Sequence, residues 1–116
     1  MRDLELMPSY YESDDLARFP EIAQGAPELW RKFQAWYGDV FQDGALSVRE
    51  KSLIALAVAT ALQCPYCIDA YTRSSLENGS SLEQMTEAIH VAAAIRGGAT
   101  LAHGIPMKTI AAKLSM

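Results

Sequence analysis

The chain has 116 residues, 50% of them hydrophobic and 21% charged, with ten Lys and Arg against 14 Asp and Glu for a net charge of −4. That length holds one domain of ordinary size, and the apolar fraction excludes a disordered chain. The negative balance argues against a nucleic-acid binder. Charge is uneven: residues 1–28 carry seven acids and two bases (net −5), and residues 29–116 carry seven acids and eight bases (net +1). The acidic stretch is read as a lightly structured arm over 1–24, leading into one domain over 25–116. Met1-Arg2-Asp3-Leu4-Glu5 lacks the basic-then-apolar order of a secretory signal. The longest uncharged run, Ser52 to Ile68, is 17 residues, short of the ~20 that a membrane-spanning helix needs. The expectation is a soluble, cytoplasmic protein with neither membrane nor nucleic acid as a partner.

Pro27 suits a first helical turn, and Leu29, Trp30, Phe33, Trp36 and Tyr37 then fall on one helical stripe ending near Gly38. They are expected to be core aromatics, with a ligand-stacking role as the minority reading. Gln42-Asp43-Gly44 marks a loop. Ser47 stands three residues before Glu50, a capping-box spacing that opens a second helix. Its continuation, Leu53 to Leu62, is apolar all round, so burial on every side is expected, helped by assembly with further copies. Cys64-Pro65 opens a third helix running to about Asn78, with Gly79 as its terminator. Ser80 or Ser81 caps a fourth, with Glu83 or Gln84 as the reciprocal box residue, and Gly97-Gly98 is expected to stop it. The remainder is read as helical with a break near Gly104 and Pro106. The fold class is all-α: a single-domain helical bundle that oligomerises through its apolar central helix.

Cys64-Pro65-Tyr66-Cys67 places two sulfurs at i and i+3 on a first helical turn. Unpaired amides and the positive end of the helix dipole favour thiolate over thiol there. A second thiol one turn away can resolve a sulfenic acid or a mixed disulfide. Zinc would need two more ligands, and His90 and His103 lie 13 residues apart, so no metal site is expected. Ile68 stands where haem attachment would need histidine. A structural disulfide closing so short a loop would stabilise little. Tyr71, four residues past Cys67, continues the same face, either as a packed aromatic or as a hydroxyl beside the sulfurs. His90 lies on an apolar half-helix and is read as a hydrogen-bonded core histidine, with a base near the dithiol as the alternative.

The run Arg49 to Ala59, leading into Cys64-Pro65-Tyr66-Cys67 and continued by Glu87 to Ala99, resembles the alkylhydroperoxidase D-like branch of the carboxymuconolactone decarboxylase superfamily. Cys-Pro-Tyr-Cys-Ile-Asp-Ala-Tyr, residues 64–71, is most similar to small peroxidase-like proteins associated with arsenosugar biosynthesis. The resemblance covers roughly residues 25–105. It implies a helical fold assembled as trimers or hexamers and a peroxidase that reduces alkyl hydroperoxides. It also implies that Cys67 attacks the peroxide and Cys64 resolves it. Electrons would come from a lipoylated protein or another external dithiol, with no bound cofactor. Peroxidases of this branch carry a glutamate 12 residues before the first cysteine and a histidine four after the second; here Ser52 and Tyr71 hold those positions. Glu50 is a possible substitute for the glutamate, although its capping role is simpler. Two alternatives stand beside the peroxidase: a vicinal-dithiol protein that binds a soft species such as trivalent arsenic, and a catalytically silent assembly protein.

Overall fold

The computed structural model describes residues 14–116, so the first part of the acidic arm, residues 1–13, and the N-terminal order read above lie outside the described residues. A 3-10 segment, Leu16–Gly25, precedes five α-helices: α1 (Pro27–Val40), α2 (Val48–Leu62), α3 (Pro65–Glu77), α4 (Leu82–Ala102) and α5 (Ile105–Leu114). Among the described residues there is no strand. The part of the leader from Leu16 onward is therefore ordered helix, packed against α1.

The core is the sandwich of α3 and α4 on α2. Local chemistry sets its boundaries. Ser47 Oγ accepts from the Glu50 N–H while the Glu50 carboxylate accepts from the Ser47 N–H, the reciprocal box expected at the start of α2. Ser81 and Gln84 repeat this at α4. Gln63 ends α2 in the left-handed region at φ 58°, and the Arg96 guanidinium of α4 donates to the Ala61 carbonyl there, covering one of the helix's orphan acceptors. The chain turns at Gln63 and presents Cys64, in extended geometry, as the cap of α3.

One expectation about the helix ends is corrected. Gly97-Gly98 does not stop α4, which continues to Ala102; two glycines in a helix interior cost about 1 kcal/mol each relative to alanine, too little to end a helix this long without a competing turn. The apolar helix α2 is not covered on all sides within one chain. Leu56 and Ala59 are buried, whereas Ile54, Val58 and Leu62 are exposed. On α4 and α5, Val91, Ile95, Leu101, Ile105 and Leu114 are exposed as well, and α5 buries no residue. The Cα radius of gyration is 19.0 Å, against about 13 Å for a compact chain of roughly this length.

Candidate functional site: a dithiol facing an aromatic cavity

Cys64 is the N-cap of α3, with Pro65 at the following position, where its missing amide leaves no bond unmade. The Cys64 sulfur accepts from the Cys67 N–H at 3.3 Å, as a serine oxygen does in an ordinary cap. The two sulfurs are 2.9 Å apart, in direct contact. Both cysteines are half-buried. The Cys67 thiol is pushed up to about 11, first by burial, then by its hydrogen bond to Cys64 and by the negative charge that Cys64 can carry. Burial and its neighbour thus hold the proton on Cys67 across the neutral range.

The dithiol lines a cavity of about 760 Å³. Its other walls come from the 3-10 segment, α1 and α3. A chain of rings runs from Tyr66, between the cysteines, to Phe19 (centroids 5.4 Å apart) and Trp30 (5.1 Å). It continues through Phe33 (5.7 Å) and Tyr37 (5.4 Å) to Phe41 (5.1 Å), which stacks on Tyr71 at 5.3 Å and 18°. Tyr66 and Tyr71 flank Cys67 on α3, so the chain of rings begins and ends beside the sulfurs. The Tyr37 hydroxyl is raised above its ordinary range, mainly by burial and then by charge on Cys67, Tyr66 and Cys64. It therefore stays protonated close to the dithiol. Of the α1 stripe expected in the core, Trp30, Phe33 and Tyr37 instead line this cavity, Leu29 and Trp36 are exposed, and α1 has no fully buried residue. Periodicity found the stripe but could not distinguish a packed core from a cavity wall.

Of the residues singled out from sequence, Cys64, Cys67 and Tyr71 share the cavity. Ser52 is fully buried one turn further along, its Oγ 2.9 Å from Ser74 Oγ and 3.4 Å from the Asn78 amide nitrogen. Ser74 and Asn78 continue the α3 face of Cys67 and Tyr71 at helical spacing. Glu50 caps the opposite end of α2 from the cysteines, about 20 Å away along the axis. His90, expected in the core, is exposed on α4 and does not line the cavity. The α1 aromatic spacing points to Trp30 and Tyr37, with ligand stacking as its minority reading, whereas Phe19, on the 3-10 segment, carries no sequence signal of its own. Among the described residues no group of three or more His, Cys, Asp and Glu could hold a metal ion, and no helix is long and apolar enough to cross a membrane.

Residues 27–107 match the Carboxymuconolactone decarboxylase family. The chain is 52% identical over 87 residues to "Uncharacterized protein 4 in cox locus" of Paracoccus denitrificans, covering 75% of this chain and 78% of that protein. It is 30% identical over 81 residues to an uncharacterized protein of Cupriavidus necator, covering 70% and 72%. A crystal structure of a protein from Methanobacterium thermoautotrophicum superposes with a TM-score of 0.70 at 30% identity, over 74% of this chain and 97% of that one. The apo structure of a carboxymuconolactone decarboxylase family protein from Legionella pneumophila gives 0.65 at 29%, over 79% and 82%. With the family match spanning most of the chain and helical neighbours on both counts, the protein belongs to the carboxymuconolactone decarboxylase (alkylhydroperoxidase D-like) family.

Proposed function

We propose that the chain is a dithiol oxidoreductase that reduces organic hydroperoxides through Cys64 and Cys67. The observation that carries this reading is two sulfurs in contact at 2.9 Å, at a helix start, on the wall of an apolar cavity. Cys67, which the family resemblance assigns to attack, keeps its proton to about 11 and so needs a base. Cys64 is that base: its sulfur is in contact with Cys67 and already receives a helix amide. As the Cys67 sulfur bonds the distal peroxide oxygen, the O–O bond breaks. The Cys67 proton passes by way of Cys64 to the departing alkoxide. The products are an alcohol and Cys67 sulfenic acid. The Cys64 thiolate then attacks the Cys67 sulfur and expels hydroxide, which leaves as water after taking a solvent proton. The resulting disulfide is reduced by an external dithiol, such as a lipoyl group, through two exchange steps.

The experiment is single-turnover oxidation of the reduced protein by an alkyl hydroperoxide, with Cys64→Ser and Cys67→Ser alongside. Expected results are one disulfide per chain, a dimedone-trappable sulfenic acid on Cys67 in Cys64→Ser, and loss of turnover in both variants. Turnover undiminished in either would overturn the reading. Thiol-dependent arsenite binding with no peroxide consumption would replace it with the soft-ion reading. The likeness of residues 64–71 to arsenosugar-associated peroxidase-like proteins belongs to this proposal, as does a cytoplasmic setting. So does assembly with further copies, as a trimer or hexamer, over the exposed apolar faces of α2, α4 and α5.

A further inference from the structure

The cavity is far larger than the dithiol chemistry alone requires. Hydrogen peroxide is close in size to one or two water molecules, each with a share of roughly 30 Å³, whereas the space here is about 760 Å³. That is the size range of pockets that enclose a drug-sized molecule. We propose that the cavity is a binding site for neutral molecules bearing an aromatic ring, with Phe19, Trp30 and Phe33 as its specificity-determining wall. Under the proposed function, on which this substrate assignment rests, the substrate class is aryl-substituted organic hydroperoxides.

The ring geometry carries the argument. Phe19 meets Trp30 edge-on at 83°, and Trp30 and Phe33 are tilted by 36°, so the wall offers both ring faces and ring edges. A bound aromatic ring gains offset or edge-to-face contacts beyond simple burial, which an alkyl group of the same area does not. The polar side chains on the lining are few: Asp15 and Gln34 stand with the cysteines and tyrosine hydroxyls, and no Lys, Arg or His lines the cavity among the described residues. Asp15 is ion-paired to Arg18 at 3.6 Å. Among the described lining residues a carboxylate tail on the ligand would meet the Asp15 carboxylate and no cation, which disfavours fatty-acid hydroperoxides relative to neutral ones.

Binding can be read without turnover. Trp36 does not line the cavity, so Trp36→Phe leaves Trp30 as the single tryptophan reporter. Titration of the reduced protein with 2-phenyl-2-propanol, the alcohol left by cumyl hydroperoxide, should change Trp30 emission saturably. Its affinity should exceed that for tert-butanol or octanoate by about tenfold or more. Phe33→Leu, which keeps most of the volume but removes the ring, should weaken the aryl alcohol several-fold and leave tert-butanol unchanged. In turnover, cumyl hydroperoxide should show a higher kcat/KM than tert-butyl hydroperoxide, and Phe33→Leu should raise the KM for cumyl hydroperoxide several-fold more than that for tert-butyl hydroperoxide. Absence of saturable binding, or equal affinity for the three probes, overturns the site. Peroxide turnover without aryl preference overturns it too and leaves the peroxidase standing. Aryl binding without turnover of any peroxide supports the site and removes the peroxidase.

Discussion

The division of labour between the sulfurs makes a sharp prediction. In the intact pair the Cys67 thiol titrates at about 11 against an ordinary 9.0, so at pH 8 roughly one Cys67 in a thousand is thiolate, where an ordinary thiol gives about one in ten. Cys64→Ser removes the hydrogen bond and the charge that Cys64 contributes. The serine oxygen can still cap the Cys67 amide, because serine is a good N-cap, so α3 should start where it does now. Burial, the largest cause of the shift, survives the substitution. The Cys67 midpoint should therefore fall by less than the full two-unit difference, to between 9.0 and about 11.

The assay is the pH dependence of iodoacetamide alkylation, read by mass at each cysteine. In the unmodified protein at pH 8 the first label should land on Cys64. In Cys64→Ser the Cys67 rate should rise with pH through the lowered midpoint. A midpoint still at about 11 would show that Cys64 exerts no hold on its neighbour, and one below 9.0 would show that the site is not a desolvating one. Label appearing first on Cys67 in the unmodified protein would refute the raised Cys67 midpoint.

Four further outcomes follow from named contacts. Tyr71→His, which restores a titratable base on the cavity wall beside Cys67, should raise the peroxide rate constant at pH 7 by about 100-fold; an unchanged stopped-flow rate would show that base supply does not limit the reaction. Ser47→Ala, by opening the α2 capping box, should cost about 1 kcal/mol in urea unfolding without altering peroxide reactivity. The Glu50 carboxyl is held below its usual range by its hydrogen bonds to Ser47, so its contribution to stability is present above the ordinary carboxylate range. That contribution should vanish as pH falls through the lowered value, and Glu50→Gln should abolish this pH dependence in thermal unfolding. Val58→Asp, on the exposed side of α2, should shift light-scattering mass toward the single chain; an unaltered mass would remove that face from the assembly.

What the sequence made legible was local. The α2 and α4 boxes and the Cys64-Pro65 helix start each depend on residues three or four apart, and all are found in the structure. The dithiol contact followed from the same spacing. The cavity was not legible because it joins Phe19, Trp30 and Tyr37 to Cys64 and Cys67 across 27 to 48 positions of sequence, and helical periodicity carries no information over such distances. His90 failed for the opposite reason: apolar neighbours in sequence suggested a core, but α4 packs on α2 along only part of its circumference and leaves His90 outside.

Ser52 and Tyr71 stand where the resemblance to alkylhydroperoxidase D-like peroxidases implies a glutamate and a histidine, yet the structure gives the two positions different standing. Ser52 sits in the α2–α3 contact, bonded to Ser74 and Asn78. Replacing it with glutamate would force a carboxylate into a fully buried site, at a desolvation cost of several kcal/mol unless new partners formed. Tyr71, by contrast, lies on the cavity wall, stacked among the described residues on Phe41, so histidine there requires no repacking of the α2–α3 core. The two positions are therefore not equivalent routes back to a relay. If a base is added, it must enter from the cavity side, and Tyr71→His alone should recover most of what the double change Ser52→Glu with Tyr71→His can deliver.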